Sequence, residues 1–415
     1  MRYKYQLLIY SLIAFTVVLA HSCRKAYDPQ VISAPNSYLV IEGDINSGSD
    51  STFIRLSRTV KLSNKKTPSP ETNAMVTIEG DQNTSYPLTE IKPGTYASAG
   101  LNLDPSHKYR LNVKTANGKQ YVSDYVPVID SPPIDSVNYD ADGNLGQAGM
   151  NIYVSTHDPA NKVQYFRWDY TETWEFQSAF ESVYYSNGDT VLPRNLNTDN
   201  IYQCWRSDSS NNVLLGNTAR LSKSVITAKP VAFVNSSSEK VTVEYSILVR
   251  QHALTADAYY FYSALQKNTE QLGSIFDAQP SEVSGNIHCV SNPQEPVIGY
   301  ISAGEVSTKR IFVMASHLPV WTAVTFYTQD NCQLAPDPED PLQSCCFYQF
   351  RDKLGRLQNQ VNDYINYNIS HTIDPLVPVN GIGRPGQPPV GYTAAEPECV
   401  DCTLRGTNVK PAFWQ

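Results

Sequence analysis

Phe166-Arg167-Trp168-Asp169-Tyr170-Thr171-Glu172-Thr173-Trp174-Glu175-Phe176 alternates between two kinds of residue. Even positions carry Phe166, Trp168, Tyr170, Trp174 and Phe176, broken only by Glu172. Odd positions carry Arg167, Asp169, Thr171, Thr173 and Glu175. Successive side chains of a strand point to opposite faces, so period two predicts a strand with one aromatic face. Exposed, that face could stack sugar rings. Burying so many rings in a core is the more favourable arrangement, and that is the expectation here.

The same bias runs outward along the chain. The 27 Tyr, 13 Phe and 5 Trp, against 4 Met, suit sheets better than helices, and 27 Pro favour turns. Upstream, Val126-Pro127-Val128-Ile129-Asp130-Ser131-Pro132-Pro133 reads as a linker, because proline cannot donate to a ladder. Before it, residues 36–130 hold about seven short strands. Tyr38–Gly43 and Thr52–Leu56 are two of them, and Asn117-Gly118 suits a tight hairpin. This spacing predicts an immunoglobulin-like sandwich. Residues 134–372 form a larger β-rich domain, with further strands over Val297–Ser302, Lys309–Met314 and Val320–Tyr327. It contains one helix near 256–272, capped by Thr255, ended by Gly273, with Ala258, Phe261, Tyr262, Leu265 and Leu272 near one face. Residues 373–415 are rich in proline and glycine and read as a surface tail stapled by its cysteines. The expected class is mainly β, a sandwich followed by a larger β-rich domain with one or two helices.

At the other end, Arg2 and Lys4 precede the apolar run Leu7–Ala20 and then Ser22-Cys23. A charged start followed by a run this short reads as an export signal over residues 1–22, since a membrane-spanning helix needs about 20 apolar residues. Ser22-Cys23 resembles a loose lipobox, so Cys23 is the expected lipidation site and residues 23–35 a tether. No later run could span a bilayer, which leaves the acyl chains as the expected anchor. Loss of Arg2 and Lys4 with the signal takes the formal charge from −8 to −10. An acidic chain without a basic block is a poor nucleic-acid binder, and none is expected as a partner.

Seven cysteines follow Cys23. In an oxidising compartment they should mostly pair, and an odd number leaves one over. Cys399 and Cys402 are expected to pair with upstream cysteines, among Cys332, Cys345 and Cys346. Their Cys-x-x-Cys spacing fits a redox or zinc knuckle too, but a redox motif should open a helix after a strand, and this one lies between Pro397 and Pro411. The Gly381-Ile382-Gly383-Arg384-Pro385-Gly386 stretch has dinucleotide-loop spacing but is hemmed by Pro378, Pro388 and Pro389. Asp140-Ala141-Asp142-Gly143-Asn144 starts like a calcium loop, then has Leu145 for the turn glycine and Asn151 for the bidentate Glu. Asp337, Glu339 and Asp340 read as solvated loop charge. The mature histidines, His107, His157, His252, His288, His317 and His371, show no metal-ligand spacing. No catalytic residue, metal or cofactor is therefore expected, and the chain is not expected to be an enzyme.

Several stretches together resemble a family of Bacteroidetes outer-membrane lipoproteins known only as domain of unknown function family 4249. They are Gly285-Asn286-Ile287 with Asn292-Pro293, Val297–Ala303, Cys204-Trp205, the helix before Ser274–Asp277, and above all the ending Cys399-Val400-Asp401-Cys402 to Lys410-Pro411-Ala412-Phe413-Trp414. The resemblance implies an N-terminal sandwich, a larger β-rich body and partnership with a TonB-dependent outer-membrane receptor. It implies no catalytic residues. The group's glycosylation pattern matches Asp50-Ser51-Thr52, Asp135-Ser136-Val137 and Asp189-Thr190-Val191, which marks Ser51, Ser136 and Thr190 as acceptors. Only Asp28 supplies an acid soon after Cys23; the expected location is the outer membrane, at the cell surface rather than its periplasmic face. The expected function is an accessory or lid subunit of a TonB-dependent nutrient importer. The alternatives are a structural or adhesive surface lipoprotein and, third, a hydrolase.

Overall fold

A computed structural model of the chain describes residues 37–60, 69–141, 148–270, 284–321, 332–335, 346–370 and 376–415. The signal, Cys23, the tether, Leu272, Gly273, the Asp337–Asp340 cluster, Cys345 and His371 lie outside the described residues, as do Asp142–Asn144 and residues 322–327. The chain is mainly β, with 46% strand and 11% helix.

The first body is one nearly closed, barrel-like sheet of eleven strands. Its strands within 37–130 fall where the sequence places them. Leu39–Glu42 pairs with Thr52–Arg58, and Lys108–Lys114 turns through Asn117-Gly118 into Gln120–Ser123, with Gly118 at φ 84°. The expected immunoglobulin-like sandwich is not what they build. A sandwich would separate two sheets, whereas Ser85–Lys92 pairs with Met75–Gly80 through its first half and with Thr95–Ser98 through its second. One bending strand thus joins both halves into a single surface.

Nor does this body end at residue 130. Ile287–Cys289 adds antiparallel to Gln120–Ser123 at one end of the sheet, and Val297–Ile298 adds parallel to Leu39–Glu42 at the other. The reason is apolar: Ile287, Cys289, Val297 and Ile301 are buried in the same core as Leu39, Ile54, Ile78 and Tyr121. Glu295 fixes the returning segment from outside, accepting from the Tyr121 hydroxyl at 2.7 Å and from Lys119 Nζ at 2.5 Å. Burial and the bond to Glu295 push the Tyr121 hydroxyl up to about 12, so it remains a donor. The backbone fit is close at Gly299, where φ is 145° and a Cβ would lie 2.2 Å from the Ile41 carbonyl oxygen. Only glycine fits that approach.

The two-sheet sandwich lies in the second body. Tyr165–Gln177 is central to a five-stranded sheet with Gln203–Ser209, Leu214–Asn217, Glu244–Leu254 and Ser307–Met314. A three-stranded sheet of Ile134–Asp140, Gly149–His157 and Val225–Asn235 packs on it. Phe166, Trp168, Trp174 and Phe176 are buried among Met150, Ile152, Val154, Ile247 and Val249, so the aromatic face is core. Toward its C-terminal end the other face is buried as well, because Trp414 of the tail packs edge-on against Trp205 and Phe312. Helix α1 (Ala256–Glu270) follows directly; the Thr255 hydroxyl accepts from the Ala258 N–H at 3.1 Å, and Ala258, Phe261 and Tyr262 form its buried face.

The tail does not simply lie over the surface. Every residue of its Gly391–Ala395 strand is buried, flanked in a four-stranded sheet by Val377–Ile382 and Phe347–Arg351. The prolines and Gly386 (φ 77°) form the turn between two of those strands, and the small side chains of Ala394 and Ala395 admit close packing. Helix α2 (Gln360–Ser370) packs Val361 and Ile365 onto this sheet, and the short helix α3 (Pro397–Val400) follows it. Val320 and Trp321, expected to begin a strand, are not in one, and Val320 is fully exposed.

Candidate functional site

The two bodies meet over a group of five ionisable side chains. Asp44 is the first body's contribution, on the loop after Leu39–Glu42. Arg167 and Asp169 come from the outer face of the aromatic strand, and Arg250 and His252 from its neighbour Glu244–Leu254, where Arg167 stands opposite His252 and Asp169 opposite Arg250. Arg167 Nη2 donates to Asp44 Oδ2. His252 lies between two carboxylates, with Nε2 2.7 Å from Asp169 Oδ2 and Nδ1 3.4 Å from Asp44 Oδ2. Arg250 donates from Nε to Asp169 Oδ1 and, at 3.0 Å, to the Thr171 hydroxyl. The Arg167 guanidinium also sits 4.6 Å over the Tyr262 ring of α1, a cation–π contact.

Burial sets the electrostatics of this group. It would raise the Asp169 carboxyl, but the bond from His252 and the charges of His252, Arg250 and Arg167 outweigh it and hold Asp169 well below the usual carboxylate range. Burial likewise opposes the Arg167 charge, and Asp44 chiefly reverses that, leaving Arg167 firmly cationic. Burial raises the Tyr262 hydroxyl against the pull of Arg167. A carboxyl depressed on folding stabilises the protein above its unfolded pKa, about 3.9 for Asp, and that contribution is lost as pH falls through the folded value. Stability measured by urea unfolding should therefore fall below about pH 4, and Asp169→Asn should flatten that acid limb. An acid limb of unchanged slope in the variant would contradict this assignment.

A cleft of about 400 Å³ opens beside the group, walled by elements of both bodies: Val40–Gly43, Ile298–Tyr300, Arg167–Asp169, the loop Ser210–Val213, and Phe261, Tyr262 and Leu265 of α1. Its volume is within the range of small-molecule sites, about 300–1,000 Å³. The loop wall is fixed from α1, since Glu270 Oε1 accepts from the Val213 N–H at 2.7 Å and Gln266 donates to the Val213 carbonyl at 2.6 Å. A second, shallower hollow of about 570 Å³ lies on the other side of the charges, lined by Asp44, Asp50, Ser51, Phe53, Arg250 and His252.

The residues singled out from the sequence lie elsewhere. Cys399 is bonded to Cys332, and Cys402 to Cys204, which lies outside the set of partners expected for it. Cys402 is buried against the sandwich core beside the strand that carries Cys204, whereas Cys346 is buried next to Gly391 in the tail's own sheet. Cys289 is a free, buried thiol of the first body. Of the three glycosylation candidates, Ser51 is exposed on a loop, and Ser136 and Thr190 are half-buried. None of the three is in the cleft. Phe413 is exposed, with Arg310 3.7 Å over its ring, while Trp414 is buried. Among the described residues, no group of three or more His, Cys, Asp or Glu could hold a metal ion, and no helix is long and apolar enough to cross a membrane.

These five residues escaped sequence reading. Arg167 and Asp169 occupy the polar positions of the alternating strand, which signals a solvated face, and His252 stands alone in the chain. The available signal was a repeat of the pattern: Arg250-Gln251-His252 puts two more charge-capable residues on alternate positions of a second strand, at the same spacing.

Comparison with known proteins places the chain at family level. No curated protein matches it. Among solved structures it is similar to a DUF4785 family protein from Legionella pneumophila, at 13% identity and a TM-score of 0.17, over 51% of this chain and 52% of that one. It is also similar to the Yersinia pseudotuberculosis adhesin InvE, at 15% identity and a TM-score of 0.16, over 52% and 55%. The chain spans about half the length of each, and likeness this slight carries no argument. A family model described as Domain of unknown function (DUF4249) matches residues 24–310, which take in the barrel-like body and nearly all of the sandwich, and the chain belongs to that family.

Proposed function

We propose that the protein is a lipid-anchored outer-membrane binding subunit, displayed at the cell surface, that works as an accessory or lid beside a TonB-dependent importer. The cleft between the two bodies carries the reading. It is of ligand size, and its loop wall is held by hydrogen bonds from α1. Binding is favoured over catalysis by the state of its charges: the oxygens of Asp169 are both bonded, and a carboxylate held that far below its usual range is a poor proton donor. The pattern around Cys23 supplies the anchor, and tethering raises the effective concentration next to an integral partner, so weak contacts suffice.

Two measurements test this. Cys23→Ser should move the protein from membrane to soluble fractions, and unchanged partition would remove the anchor from the proposal. Cross-linking in native membranes should capture an outer-membrane β-barrel protein, and deletion should impair uptake of one nutrient. A strain that yields no such capture and grows normally on all nutrients would favour a structural lipoprotein instead.

A further inference from the structure

We infer that the cleft takes a neutral sugar of one or two rings, and that it discriminates against anions although an arginine lines it. An arginine in a cleft ordinarily marks a carboxylate or phosphate site, because its fork of donors matches those anions. Arg167 is not available for that. Its Nη2 donates to Asp44, its face is covered by the Tyr262 ring, and its Nε, without a partner among the described residues, is buried out of a ligand's reach. Asp169 is equally engaged, by Arg250 and His252. The two carboxylates and two guanidiniums are thus paired within the protein, Arg167 with Asp44 and Arg250 with Asp169, and a charged ligand would bring a charge with no partner, which is strongly unfavourable. Glu42, exposed at the rim, further repels anions.

What the cleft does offer is neutral. Asn211 and Asn212 are exposed on its loop wall and bond to nothing among the described residues. Each amide presents two donors and an acceptor oxygen. The Ser210 oxygen accepts from the Tyr170 N–H, which leaves its own hydrogen to donate. Groups that both donate and accept match hydroxyls, which do the same. Apolar side chains, Val40, Ile298, Phe261 and Leu265, line it as well. A pyranose has this mixed character, with C–H groups on its faces and hydroxyls around its edge.

The inference rests on the reading of the cleft as a ligand site, and its test is separate from the cross-linking above. The full exported protein would be titrated calorimetrically, and its melting temperature followed, with glucose, galactose, mannose, N-acetylglucosamine, maltose and cellobiose. Glucuronate, galacturonate and glucosamine are the charged counterparts. At least one neutral sugar should bind and raise the melting temperature, and its charged counterparts should bind at least about tenfold more weakly. Asn211→Ala with Asn212→Ala should weaken binding about tenfold or more. Both positions are exposed, so the fold should survive. Val213→Trp, which fills the cleft, should abolish binding. If no neutral sugar shifts the melting temperature at ~10 mM, enough to saturate a millimolar site, the inference fails. It fails too if a charged counterpart binds as tightly, or if the double Asn variant binds like the wild type. Failure here with a barrel protein still captured leaves the accessory reading standing.

Discussion

Asp44→Ala should destabilise the protein by about 3 kcal/mol, because it removes the partner of a largely buried guanidinium. Arg167 and Asp44 keep only 18% and 14% of their side-chain exposure, and Arg167 Nε and Asp44 Oδ1 have no hydrogen-bond partner among the described residues. The pair is already under-satisfied, so its removal cannot be absorbed by a neighbour. The expected value is at the low end of the roughly 3–5 kcal/mol for breaking a buried pair, since water reaches both groups. Asp44→Asn, which keeps an acceptor, should be milder. Replacing both partners, Asp44→Leu with Arg167→Met, should recover much of the loss, because no charge is then left unpaired. Urea unfolding followed by tryptophan fluorescence reads all three, with Trp168 next to Arg167 as reporter. If Asp44→Ala unfolds with the wild type, or if the double variant is worse than the single, the junction is not held by this pair.

The second large effect belongs to the tail. Cys204–Cys402 spans 198 residues and Cys332–Cys399 spans 67. Chain-entropy estimates for loops of these lengths give about 4–5 kcal/mol each, and less than the sum together, because one loop lies inside the other. Cys204→Ser with Cys402→Ser should therefore give the larger loss. It should also loosen the end of the chain, whose other ties include Arg405 to Glu239 at 2.8 Å, the paired backbones of Thr407 and Trp205, and Trp414 on Trp205 and Phe312. Limited proteolysis should cleave that variant near residues 405–415 while the wild type resists. Peptide mapping without reductant should return the two nested pairs, Cys204–Cys402 and Cys332–Cys399. A direct Cys399–Cys402 bridge, or equal protease resistance in the variant, would overturn the clasp.

The sequence is informative here wherever a short-range pattern suffices. The alternating stretch Phe166–Phe176, the Asn117-Gly118 hairpin and the Thr255-capped helix each depend on neighbours within a few residues, and each is where the pattern puts it. What the sequence hides is pairing at a distance. Nothing local in Ile287-His288-Cys289 says that its partner is Gln120–Ser123 rather than the strands around it. The barrel-like closure was missed for that reason, and Cys402 was referred to the nearer cysteines when its partner is Cys204. The charged junction was hidden differently: alternation tells which residues leave one face of a sheet, but not whether water or another body meets them there. The tail misled through composition, since proline and glycine at a turn mask the buried strand Gly391–Ala395 beside it.

The split first body also dictates an order of emergence. As the chain is synthesised from its N-terminus, Leu39–Glu42 and Gln120–Ser123 arrive early and stand as two open sheet edges until Val297–Ile298 and Ile287–Cys289 follow them. Unpaired edges are templates for joining other chains, so the nascent first half is at its most aggregation-prone during that interval. The returning segment then completes the barrel at nearly the same moment as Ser307–Met314 reaches the edge of the five-stranded sheet. Neither body can finish far ahead of the other. A break at the proline linker would separate two pieces of which the first is completed by strands of the second.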